Sequence, residues 1–158
     1  MNTKYMDAID LIEDFNEIGG NFKDITEDSF ISQVLVNKEE AFELWNAIYM
    51  KEGEAQILKE AIDNFVTIVG FLKMLEKKGY DVENALIHVG ENNLDKFISF
   101  DDPCLVQETI DFYKEHGVSV TAENNMEYEF TVIKDENGKI RKPVGYAKAD
   151  VSKFIPKQ

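Results

Sequence analysis

The chain of 158 residues is short of the residue types that build covalent and nitrogen-ligand chemistry: it has one cysteine, two histidines, three prolines and one tryptophan. A lone Cys104 excludes an internal disulfide framework and a cysteine zinc site together. With His88 and His116 as the whole histidine complement, histidine-rich metal sites and most Ser-His triads have no material. There is no run of about 18 apolar residues, so no transmembrane helix is expected. The first fourteen residues carry four acids and no apolar segment, so a signal peptide is not expected and a cytoplasmic location is. Basic side chains are also scarce, 17 against 31 acidic ones for a formal charge of −14. That balance argues against a nucleic-acid partner, because phosphate neutralisation needs a basic footprint.

What is present is apolar and acidic. At 44% hydrophobic residues the chain can bury a core despite its charge. No repeat or linker interrupts it, and we read residues 1–158 as one domain: a mainly α, four- to five-helix bundle with a small C-terminal antiparallel β-hairpin over 118–158. Helix one takes residues 3–17, stopped by Gly19-Gly20. Helix two takes 38–50, with Asn37 as its cap and Gly53 as its breaker. Helix three, 54–78, has Leu58, Ile62, Phe65, Val69, Leu72 and Leu75 as its spine, and it is apolar on nearly every face because Ile57, Val66, Ile68 and Phe71 lie off that spine. Such a helix in so small a bundle implies a partner subunit, hence a homodimer or homotetramer. Asp81 can cap a fourth helix over 82–97, and Asp102-Pro103 opens a fifth that Gly117 ends. Beyond it, Val118–Val120 and Tyr128–Val132 alternate with period two, and Asp135-Glu-Asn137-Gly138 signals a hairpin turn. Residues 134–158 hold seven of the 17 basic groups against three acids, a local excess of +4 over a remainder at −18.

Carboxylates are therefore the available chemistry. Glu40 and Glu43 share one face of helix two, and Glu60 and Asp63 share one face of helix three. If the two helices pack as an antiparallel hairpin about Gly53, four carboxylates converge. Such a cluster is tolerated when a cation sits within it. Oxygen donors without His or Cys select a hard ion, Mg²⁺ with Mn²⁺ as an alternative, and Mg²⁺ is usually completed by substrate phosphates.

The run Glu39-Glu40-Ala-Phe-Glu43, then 16 residues, then Glu60-Ala-Ile-Asp63, resembles the EExxE…ExxD signature of the all-α nucleoside triphosphate pyrophosphohydrolases. That superfamily includes MazG-like proteins, dimeric dUTPases and phosphoribosyl-ATP pyrophosphohydrolases. Asn93-Leu-Asp-Lys96 is similar to a later N-x-x-K of many members, and Gly138-Lys-Ile-Arg-Lys-Pro143-Val-Gly-Tyr146 to a basic tail of some MazG-like proteins. The resemblance implies Mg²⁺-dependent hydrolysis of an NTP or dNTP to the monophosphate and pyrophosphate. Glu40, Glu43, Glu60 and Asp63 would be metal ligands and Glu39 the residue that orients or deprotonates water. Asn93, Lys96, Arg141, Lys142 and Tyr146 would contact substrate. Asn16 stands where some dUTPase-like relatives have His, and Tyr146 where Trp is common. The alternatives are a non-catalytic acidic helical interaction protein and, among enzymes, a dimeric dUTPase.

Overall fold

A computed structural model describes residues 3–157. The chain is mainly helical: the described residues form five α-helices and a small three-stranded antiparallel sheet, and the backbone groups into two compact units. Unit 1 runs to Val82 and takes back the stretch from Phe154 onward; unit 2 is Glu83–Lys153. Among the described residues no helix is long and apolar enough to cross a membrane.

Unit 1 is built from α1 (Thr3–Ile18), α2 (Glu27–Tyr49) and α3 (Glu54–Lys77), with α3 packed on both others. As the sequence suggests, α1 stops at the glycine pair. Gly20 adopts a left-handed conformation (φ 77°) that lets its own N–H and that of Asn21 return to the carbonyls of Glu17 and Asn16. Gly79 (φ 88°) closes α3 in the same way. The start of α2 departs from the sequence reading. Asn37 is not a cap but lies inside a helix of 23 residues. The true cap is Thr26, whose hydroxyl accepts from the Ser29 N–H while the Ser29 hydroxyl accepts from the Thr26 N–H. Serine in the third helical position performs the reciprocal task usually given to Glu, so the start is less visible in the sequence than Asn37 followed by Lys-Glu-Glu.

The spine expected on α3 is also corrected. Val69 is buried, but Leu58, Ile62 and Phe65 are exposed, and the face turned inward carries Glu60, Gly70 and Met74. Gly70 faces α1, where a Cβ would come within 3.3 Å of the Asn16 amide. Lys73 and Lys77 reach across to Glu13 at 3.1 and 2.9 Å, tying α1 to α3.

Unit 2 holds α4 (Val82–Leu94, whose first residue belongs to unit 1), β1 (Ile98–Ser99), α5 (Pro103–Glu115), β2 (Val120–Asn125) and β3 (Phe130–Asp135), with strand order β1-β3-β2. Asp102 caps α5 as expected, accepting from the Leu105 N–H. The fourth helix ends at Leu94 rather than residue 97, because the chain turns into β1, a two-residue strand too short to show any periodicity. The hairpin turn between β2 and β3 falls at 126–129, where Glu129 takes φ 56°, rather than at Asp135–Gly138. The Asp-Glu-Asn-Gly turn is real but reverses the chain after β3, bringing Ile140 back beside Lys134. Ile98, Thr109 and Ile133 form the buried centre of this unit.

Asp135 anchors the second turn. Its carboxylate is buried, accepts from the N–H groups of Asn137 and Lys139, and pairs with Arg141 through both Nε and Nη2 at 2.9 and 2.7 Å. The Lys139 N–H in particular, with Asn137 and the guanidinium, holds the carboxyl below the usual aspartate range. A lowered carboxylate contributes stability above its unfolded value, and that contribution is lost as pH falls through the folded value. Two outcomes follow for chemical denaturation. Asp135→Asn lowers stability at pH 7, and the gap to the native chain narrows as the pH falls below the ordinary aspartate range. Thr26→Ala costs about 1 kcal/mol at any pH between 5 and 8.

Candidate metal centre

The α2–α3 hairpin fixes the register of the carboxylates. Gly53 (φ 100°) and Lys51 (φ 57°) turn the chain, and the Gln33 side-chain amide on α2 donates to the Thr67 carbonyl on α3 at 3.0 Å. Counting along each antiparallel helix from that bond brings Glu40 opposite the turn that carries Glu60 and Asp63. One oxygen each from Glu40, Glu60 and Asp63 lie within 4.8 Å of one another, a spacing that a single cation can span.

The electrostatics register the crowding. Burial, followed by the charges of Glu43, Asp63 and Glu60, raises the Glu40 carboxyl above its ordinary value. Glu60 is the most enclosed member, at 4% exposure. Its Oε1 accepts from Gln56 and from Lys59 (3.2 Å), whereas its buried Oε2 has no hydrogen-bond partner. A buried carboxylate oxygen without a donor is expensive in free energy, and a cation is the natural way to satisfy it. Lys59 also pairs with Asp63 at 2.9 Å, so one ammonium currently bridges two of the three acids.

Of the four predicted ligands, the fold therefore unites Glu40, Glu60 and Asp63. Glu43 lies one turn further along α2, exposed and outside that triplet, although its charge is felt at Glu40. Glu39 is exposed beside Glu40. Asn93, Lys96, Arg141, Lys142 and Tyr146 all belong to unit 2, and each has a local engagement there. Lys96 donates to the Asn93 side chain at 2.6 Å, Arg141 holds Asp135, and the Lys142 ammonium stands 4.9 Å over the Tyr146 ring. The Tyr146 hydroxyl donates to Asn92 at 2.6 Å, and the Asn92 amide also holds the Ala147 and Ala149 backbone. Asn92, which the sequence did not single out, is thus the residue that fastens the tail segment within its unit.

The sequence reading also missed Gln56, Lys59 and Asn37. Gln56 and Glu60, like Lys59 and Asp63, stand four apart, the ordinary spacing of helical side-chain pairs, so only the convergence of two helices marks them as part of a site. Asn37, one turn before Glu40, has a buried side-chain oxygen with no partner. Further along the same seam, a pocket of about 470 Å³ opens between α1, α2 and α3, with Asn16, Asn21, Ser29, Gln33 and Thr67 as polar lining and Phe15 as an aromatic wall. Asn16 is held rigidly there, donating to the Ile12 carbonyl and accepting from Asn21.

A raised carboxyl favours the folded state below its unfolded value and loses that contribution as pH rises through the folded one. Without divalent ions, Glu40→Gln should therefore melt higher than the native chain at pH 7.5, and the difference should vanish below about pH 4, which thermal denaturation across pH measures. Comparison of the chain with protein-family models, with curated proteins and with solved structures gives no match.

Proposed function

We propose that the protein is a Mg²⁺-dependent nucleoside triphosphate pyrophosphohydrolase, with Mn²⁺ able to substitute, releasing pyrophosphate and a nucleoside monophosphate. The observation that carries this reading is the buried, unpartnered Glu60 Oε2 within a triplet of carboxylates from two helices. The donor set fits a hard dication: all oxygen, with no His or Cys among the three. Glu40, Glu60 and Asp63 would hold the ion, with Glu43 completing the set after a side-chain rotation.

When bound, the ion would supply Lewis acidity toward phosphate oxygens and lower the pKa of a coordinated water. The chain's residues do the remainder. Gln56 anchors Glu60 Oε1, which would leave Oε2 available to the ion. Glu39 would accept a proton from the attacking water, since it is exposed beside Glu40 and free to turn toward solvent entering the site. The amide- and hydroxyl-lined pocket would take the nucleoside, with Phe15 offering a ring face to a base. The reaction needs no covalent nucleophile, because phosphoryl transfer asks mainly for positioning and charge neutralisation.

The assembly would be a homodimer or homotetramer. On α2, Phe42, Trp45 and Tyr49 form a stacked ladder, with ring centroids 5.7 and 5.0 Å apart, at 61%, 54% and 68% exposure. With Leu58, Ile62 and Phe65 exposed on α3, unit 1 presents an apolar face of the kind that monomers rarely leave uncovered. The same face would serve a non-catalytic helical interaction protein, the second reading. Under that reading divalent ions leave the melting temperature unchanged.

Purified protein incubated with each NTP and dNTP, dUTP included, plus Mg²⁺ should release pyrophosphate. Glu60→Gln and Asp63→Asn should each lower the rate by at least about a hundredfold. Failure of every nucleotide in the panel, or full activity in both variants, would dispose of the proposal.

A further inference from the structure

Lys59 is the one cation that touches the carboxylate triplet among the described ion pairs. Its ammonium stands 3.2 Å from Glu60 Oε1 and 2.9 Å from Asp63 Oδ2, while its side chain is 57% exposed. The stem is thus at the rim and only the charged head reaches in. It bridges two of the three groups that one dication would span.

These positions conflict once a dication arrives. An ammonium and a divalent ion sharing Glu60 and Asp63 would repel each other. Of the two, the ammonium is the one free to leave, being on a flexible four-carbon stem that opens to solvent. A released ammonium stays tethered beside the ion, where the phosphates that complete the ion's coordination must lie.

Building on the metal-dependent reading above, we infer that Lys59 is a phosphate-binding arm that rests on Glu60 and Asp63 until a dication displaces it. The ammonium offsets the mutual repulsion of Glu60 and Asp63. The dication takes over that neutralisation and frees the arm, which then neutralises the polyphosphate. Metal loading and substrate binding are thereby ordered: the ammonium that occupies Glu60 and Asp63 becomes a ligand for the anion only after metal has bound.

The test is lysine labelling of the full chain by an acetylating reagent, read by mass spectrometry, with Lys38 and Lys51 as internal references and calorimetry of Mg²⁺ binding in parallel. Addition of Mg²⁺ should increase Lys59 labelling about three- to tenfold relative to the references, and subsequent pyrophosphate should reverse the increase. Lys59→Met should bind Mg²⁺ more tightly and pyrophosphate, at saturating Mg²⁺, about tenfold more weakly, whereas Lys59→Arg should keep most of the pyrophosphate affinity. If calorimetry shows Mg²⁺ bound while Lys59 labelling is unchanged, or if Lys59→Met retains native pyrophosphate affinity, the parked-arm inference fails and the metal centre stands. If no Mg²⁺ binds, both fail together.

Discussion

The mutual repulsion of three carboxylates at the seam of α2 and α3 is the constraint on which the rest of the site depends. Glu40, Glu60 and Asp63 are brought together by helix packing, not by any attraction between them. The surrounding structure is arranged to contain that repulsion: Gln56 and Lys59 hold Glu60, Lys59 bridges to Asp63, and the carboxyl of Glu40 is raised. One Glu60 oxygen is left over, buried and without a donor. A structure that served only stability would replace such a cluster with apolar side chains at little or no cost. The buried Glu60 oxygen within it is the physical argument behind the proposed cation.

Helix packing supplies the rigidity that the cluster needs. The Gln33–Thr67 bond sets the register of α2 against α3, and the missing side chain at Gly70 leaves room for the Asn16 amide of α1 against α3. Lys73 and Lys77 then clamp α1 through Glu13 and Glu17. These fastenings lie further along α3 than the carboxylates, so the hairpin end that carries Glu40, Glu60 and the aromatic ladder is held mainly by α2 against α3. That end exposes Phe42, Trp45, Tyr49, Leu58 and Ile62 among charged side chains.

Much of this was readable from the residues themselves. The spacing of Glu40, Glu60 and Asp63 on two successive helices announced the cluster, because helical periodicity and a glycine break are local signals. The Asp102-Pro103 start and the Gly19-Gly20 stop were equally legible. Other features depended on information that no short window contains. Asn37 looked like a cap because Ser29 in the Thr26 box hides the true start of α2. The spine drawn through Leu58, Ile62 and Phe65 was apolar, yet α3 turns a different face inward, since which stripe is buried is decided by the neighbour rather than by the helix. β1 is two residues long and exists only because β3 is beside it. Arg141 read as a substrate contact, whereas it pairs with Asp135, six residues away across the Asp135–Gly138 turn.

The most direct measurement is anomalous diffraction from crystals of the protein grown with Mn²⁺. The account predicts a strong peak within coordination distance of Glu40, Glu60 Oε2 and Asp63, with the Lys59 ammonium turned away from the carboxylates. A map with no peak at the α2–α3 seam, and Lys59 still bridging Glu60 and Asp63, would contradict it.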